Sequence, residues 1–238
     1  MDETSNLKPK EIETFSKIIN EYIASQTSLS LSTLLSEPIN YKVMVLDKRF
    51  FNPKNIKLSS DEIQMCGVRL VGKGDIHIEI CYAMKVKYAK KIVAKLLGGD
   101  EIREIDEMGS SAIQEVANIL TGSFFNAMSK GTGFRVDLST PNYLQGDLES
   151  MVNESTKKVI TQTESAIITD AELVGEKSGI RIHMIIVQNT KDARKILNQN
   201  GKKNSSEFSS LLDPESFVTG SPNSELDDFV KELQKEET

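Results

Sequence analysis

The sequence predicts an α/β (α+β) fold made of two copies of one unit, with long helices packed on a shared sheet. Three observations carry this. First, "LVGKGDIHIEICYAMKVKYAKKIVAKLLG" (Leu70–Gly98) and "LVGEKSGIRIHMIIVQNTKDARKILNQNG" (Leu173–Gly201) are both 29 residues long. They share "LVG", an I-x-I start and "AKKI"/"ARKI" at offsets of 103 to 104. Second, the segments upstream also run in parallel: "TFSKIINEYIASQTSLSLSTLLSEPINYKVMV" against "GSSAIQEVANILTGSFFNAMSKGTGFRVDLST", with Ile19, Tyr22 and Ile23 in the phase of Val116, Ile119 and Leu120. Third, the matching segments come in the same order in both halves, the signature of an internal duplication.

Each half reads helix, strand, strand, strand, helix. In the first half a helical apolar period opens the unit, and the alternating "INYKVMV" gives a strand. "LVG", a short turn and an I-x-I run then form a hairpin, and "KVKYAKKIVAK" is a helix with a lysine-rich solvated face that ends at glycine. The second half repeats this order, with "FRVDLS" in the place of "INYKVMV". Its "GDLESMVNESTKKV" (146–159) is an extra helix without a counterpart in the first half. Neither half buries its apolar faces alone, so one core and pseudo-twofold symmetry are expected over residues 1–201, with halves at about 10–99 and 105–201. Residues 202–238 are rich in serine, acid and lysine and read as a disordered tail.

Composition narrows the chemistry. The net charge of −6 with no basic stripe disfavours a nucleic-acid binder. Two cysteines, Cys66 and Cys81, sit in strand regions and read as buried thiols in a reducing compartment rather than as a disulfide. The start "MDETSNLKPKE" is acidic and lacks an apolar core, and no apolar run approaches the ~20 residues of a membrane span. A soluble, cytoplasmic protein is expected. His77 and His183 alternate with isoleucine in "IHIEI" and "IRIHMII", which puts both on the polar side of strands. No G-x-S-x-G, Gly-rich phosphate loop or metal-ligand cluster is present, so no bound metal or cofactor is expected.

One polar row stands out. In "SSAIQEVANIL" (Ser110–Leu120), Ile113, Val116, Ala117, Ile119 and Leu120 suit a buried helix face, while Ser111, Glu115 and Asn118 fall at i, i+4 and i+7 and point the same way. Such a row is either a solvated face or a set of groups placed for chemistry. Gly122, one turn further on, reads as a close-packing or kink residue, and Pro141 as the end of a strand.

Ser111, Glu115, Asn118 and Pro141 fit the pattern [D/S]-x3-E-x2-N-x22-P. The surrounding "SSAIQEVANILTGSFFNAMSKGTGFRVDLSTP" resembles the CheC, CheX and FliY family of phosphatases, above all the second half of CheC. These proteins act on the phosphorylated chemotaxis response regulator CheY. The resemblance spans roughly residues 10 to 201 and implies the CheC-like fold. It also implies that Asn118 orients the attacking water, that Glu115 docks on the partner, and that Ser111 is a supporting contact. Phosphoryl transfer asks a protein mainly for positioning and charge stabilisation, which such a row can supply. The Mg²⁺ belongs to the phosphorylated partner.

The first half departs from the family pattern. In phase, Thr14, Ile18 and Glu21 stand where Ser111, Glu115 and Asn118 do. An isoleucine cannot make a carboxylate's contact, and a carboxylate repels phosphate oxygens, so one working site per chain is expected. Three function classes fit: a CheY-phosphate phosphatase, a non-catalytic flagellar switch component of the same fold, and an adaptor that binds the deamidase CheD through the extra helix. Switch proteins continue into a small all-β domain, for which the stretch after Gly201 is too short and too polar. In that stretch, "SSEFSSLLD" (Ser205–Asp213) and "NSELDDFVK" (Asn223–Lys231) resemble the short peptide with which switch proteins capture phosphorylated CheY. Their candidate binding residues are Glu207, Phe208, Leu211 and Leu212, then Glu225, Leu226 and Phe229.

Overall fold

The computed structural model describes residues 6–47, 65–99, 102–159 and 165–203. The opening helix α1 (Pro9–Tyr22) has proline in its first turn, and the Lys8 amide donates to Glu11 Oε2 at 2.7 Å, which satisfies one free end of the helix. A π turn (Ile23–Thr27) carries it on into α2 (Ser28–Leu35). Strands β1 (Ile39–Asp47), β2 (Met65–Gly74) and β3 (Ile78–Lys85) and helix α3 (Val86–Leu97) complete the first half. The second half opens with α4 (Glu107–Thr132), followed by β4 (Val136–Leu138) and β5 (Asn142–Gly146). Then come α5 (Leu148–Val159), β6 (Ala166–Gly175), β7 (Arg181–Asn189) and α6 (Thr190–Lys203).

The seven strands form one antiparallel sheet in the order β1-β6-β7-β3-β2-β4, with β5 also on β2. β3 and β7 pair at the centre (Ile80 opposite Ile186), and each half lays its first strand on the other half: β1 on β6, and β4 on β2. The duplication is therefore a physical pseudo-twofold, as the repeats predict. At an offset of 97, Phe15 and Ala112, Ile19 and Val116, Ile23 and Leu120, and Leu31 and Met128 are all buried. Both long helices also end at equivalent left-handed residues, Ser36 (φ 50°) and Gly133 (φ 78°).

The glycines of the two "LVG" repeats permit close approaches. A Cβ on Gly72 would lie 2.9 Å from the Phe125 ring of α4, and one on Gly175 would lie 2.8 Å from Glu37 Oε1. The second contact ties the halves together. Glu37 Oε2 accepts from the Lys177 and Ser178 amides at 2.6 and 2.7 Å, and Lys95 Nζ stands 3.5 Å from Oε1.

Two features differ from the expectation. The strand expected to end at Pro141 stops at Leu138, and an additional short strand, β5, begins directly after the proline. His183 is buried at 1% exposure and shares a hydrogen bond of 2.9 Å with Asp170 Oδ1. The alternation of "IRIHMII" predicts a polar side of the strand here. That face instead carries a second buried layer, where α5 covers Cys81, Ala83, Ile185 and Val187 and its Glu154 pairs with Arg69 at 2.6 Å. His77 is partly buried as well. Cys66 and Cys81 are buried free thiols in the two separate core clusters, and burial pushes them up to about 11 and about 12.

Burial pushes the Glu37 carboxyl up, but the hydrogen bonds from Ser178 and Lys177 and the charge of Lys95 outweigh it and hold it at about 2. A depressed folded-state pKa contributes stability above the unfolded value and loses it as pH falls. Glu37→Gln is therefore expected to cost about 2 kcal/mol at pH 7, the scale of hydrogen bonds to a charged group. The loss should shrink as pH falls from about 4.5 to about 2. Urea unfolding across that range checks it.

Candidate functional site

The row lies on α4, a helix of 26 residues with a defined start and stop. At its start Asp106 accepts from the Gly109 amide at 2.8 Å, and at its end the Gly133 amide donates to the Ser129 carbonyl at 2.7 Å. Its inner face buries Ala112, Ile113, Val116, Ala117, Leu120 and Phe124 against the sheet and the opening helix. That burial fixes what points outward. Ser111 is exposed, and Glu115 and Asn118 are partly exposed. With 3.6 residues per turn and 1.5 Å rise, the three lie within an arc of about 60° and along about 10 Å of the helix.

Among the described residues, no hydrogen bond or ion pair engages the side chains of Ser111, Glu115 or Asn118. A carboxylate and a primary amide thus stand side by side with their hydrogen-bonding capacity free, one an acceptor and the other both donor and acceptor. The chemistry open to such a pair is the docking of a cationic group and the orientation of water. The described residues hold no cluster of three or more His, Cys, Asp or Glu suited to a metal ion.

The equivalent face of α1 is different. Ile18 packs against the core cluster. Thr14 donates back to the Lys10 carbonyl at 2.9 Å, and Glu21 is exposed. An open groove of about 630 Å³ lies elsewhere, lined by Met65, Val86, Lys90, Arg103, Glu104, Ile105, Gln145 and Gly146. None of the row residues lines it. The tail residues Glu207, Phe208, Leu211, Leu212, Glu225, Leu226 and Phe229 lie outside the described residues. No helix among the described residues is long and apolar enough to cross a membrane.

Residues 67–164 match the family model of the chemotaxis phosphatase CheX. Over that stretch this chain is similar to the CheX family. Ser111, Glu115, Asn118 and Pro141 all fall inside the matched stretch. The Bacillus subtilis CheY-P phosphatase CheC is 21% identical over 170 residues, which are 69% of this chain and 81% of that protein. The Thermotoga maritima CheY-P phosphatase CheX is 30% identical over 90 residues, 37% of this chain and 57% of that protein. Among solved structures, Thermotoga maritima FliY superposes with a TM-score of 0.64 at 21% identity, covering 83% of this chain and 98% of that one. The FliM middle domain of H. pylori superposes with a TM-score of 0.54 at 12% identity, covering 81% and 99%. The fold of this chain is thus shared with FliY and the FliM middle domain.

Of the close-packing or kink role expected for Gly122, the structure removes the close packing. Gly122 is exposed, its φ is not positive, and a Cβ there would meet nothing within 4 Å. A mid-helix glycine costs about 1 kcal/mol relative to alanine. Gly122→Ala is expected to raise unfolding free energy by up to about 1 kcal/mol, since no intramolecular contact requires the glycine. Urea denaturation of the two proteins measures it, and a destabilised variant would show a hidden packing role.

Proposed function

We propose that this chain is a phosphatase for a CheY-type response regulator, with Glu115 and Asn118 as its working pair and one site per chain. The observation that carries the reading is the contrast between the duplicated helices. On α4 the outer row presents a free carboxylate and a free amide, whereas the equivalent position on α1 holds a half-buried Ile18 packed against the edge of the core. Relatives named CheY-P phosphatases, at 21% and 30% identity, support it.

In the reaction, a water attacks the phosphorus of the phosphoaspartate as the bond to the carboxylate oxygen breaks, which releases phosphate and a free aspartate. Asn118 enters the partner's active site, and its amide holds that water in line. Positioning of this kind can supply much of the acceleration in phosphoryl transfer. Glu115 docks on a cationic side chain of the partner and so sets the depth of the amide. Ser111 adds a contact at the edge. The partner brings its own Mg²⁺, so the reaction asks no metal of this chain. The site of action is the cytoplasm.

A second reading, a non-catalytic flagellar switch component, draws on the fold shared with the FliM middle domain. It predicts binding of the phosphorylated regulator without faster hydrolysis. Phosphate release from phosphorylated CheY with Mg²⁺ present separates the two. Accelerated release is expected, with a loss of roughly 10²-fold in Asn118→Ala, the scale of removing one positioning donor. Glu115→Ala should lose roughly 10-fold, mostly in KM. Ile18 and Glu21 substitutions should leave the rate unchanged. Full activity in Asn118→Ala would sink the mechanism.

A further inference from the structure

Apolar packing holds α4 against the sheet, but it is non-directional and tolerates small rotations about the helix axis. A rotation of about 10° moves a side-chain tip 5–6 Å from the axis by roughly 1 Å. A 1 Å misplacement can cost on the order of 10²-fold in rate. An amide that must hold one water therefore needs a directional constraint on its helix.

The structure contains one beside Asn118. The hydroxyl of Thr121, one turn along α4 and fully buried, donates to the phenolic oxygen of Tyr82 at 3.1 Å. Tyr82 is 1% exposed and sits on β3, the central strand contributed by the first half, so the helix is tied to the centre of the sheet. A second link follows at once, where Ser123 Oγ lies 2.7 Å from Ser30 Oγ of α2.

The symmetry of the fold supplies the control. At the helix offset of 97, Thr121 corresponds to Ala24, and at the hairpin offset of 104, Tyr82 corresponds to Ile186. Neither residue can make the bond. Ser123 and Ser30 correspond to Gln26 and Ala127. The half that lost the polar row has no equivalent of the pin, although both halves pack the same apolar positions. A bond needed only for folding would be expected in both.

We infer that the Tyr82–Thr121 hydrogen bond fixes the rotational phase of α4, which makes Tyr82 and Thr121 positioning residues for Asn118. This rests on the phosphatase reading above. Thr121→Val keeps the shape and removes the hydroxyl. Tyr82→Phe removes the acceptor and leaves Thr121 free to bond a carbonyl of its own helix. Both should lower kcat for phosphorylated CheY about 5- to 20-fold, with KM within about 2-fold of wild type. The double variant should be no worse than either single, because one bond is lost in all three. Thr121→Ser should restore the rate. Thr27→Val, which removes a buried hydroxyl with no partner on the equivalent helix, serves as the structural control and should leave kcat unchanged.

Each protein is assayed well below its own Tm. Wild-type kcat in both Tyr82→Phe and Thr121→Val, alongside a dead Asn118→Ala, would overturn the pin and leave the phosphatase reading standing. A kcat loss in Thr27→Val equal to that in Thr121→Val would also overturn it, by showing a general packing effect. A wild-type protein without phosphatase activity would overturn both.

Discussion

The pairing of β3 with β7 brings the halves edge to edge, and each half then gives its first strand to the other. Separated, neither half has a closed sheet. Its hairpin would have lost a neighbour on each side, and the donated strand would be an open edge with unpaired amides. The helices follow from this arrangement. α1 to α2 and α4 must lie on the same face, because the apolar strand residues of both halves, such as Leu70, Ile80, Leu173 and Ile182, meet in one cluster there. Glu37 adds a polar tie, reaching from the end of α2 to the β6–β7 turn of the other half.

That constraint acts on the inner half of each long helix and leaves the outer half free. Positions 15, 19, 23 and 31 and their equivalents 112, 116, 120 and 128 stay buried in both copies. The outer positions have gone separate ways: Ile18 joins the core margin, while Glu115 keeps its carboxylate outward and unpaired. Asn is a weaker helix former than Ala, and an exposed mid-helix Gly122 is weaker still. The surface of α4 thus gives up local stability at two outer positions one turn apart, Asn118 and Gly122. Loss of local propensity at an otherwise well-capped helix is the pattern expected where function competes with folding.

The architecture was largely legible because the duplication doubled every signal. "LVG" and "AKKI"/"ARKI" marked equivalent hairpins and helices, and the apolar phase of Ile19 and Val116 located the helix register that burial later reproduced. The row Ser111, Glu115 and Asn118 was legible as a shared direction on one helix, because helical geometry alone sets it. Three things were not. β5 is too short for its alternation to register, and it exists because β2 has a free edge there. The burial of His183 depends on α5 folding over the second face of the sheet, a tertiary event that a period-two pattern cannot report. The Tyr82–Thr121 bond joins residues 39 positions apart. Each is unremarkable in its own segment, an aromatic in a strand and a threonine in a helix.

The absence of the row from the groove also has a physical sense. A small substrate is held by a cavity that surrounds it and strips its water. A phosphoryl group carried on a folded protein needs no such cavity, since its own domain surrounds it and only one more group must be inserted. Under the proposed reading, the demands on this chain are then a stiff rod, a protruding amide and a docking carboxylate. α4 meets the first with caps at both ends, a buried inner face and sideways hydrogen bonds on either side of Gly122. Rigid elements hold functional groups more closely than loops do. Specificity would then reside in the fit between two protein surfaces, and catalytic precision in the rotation of a single helix.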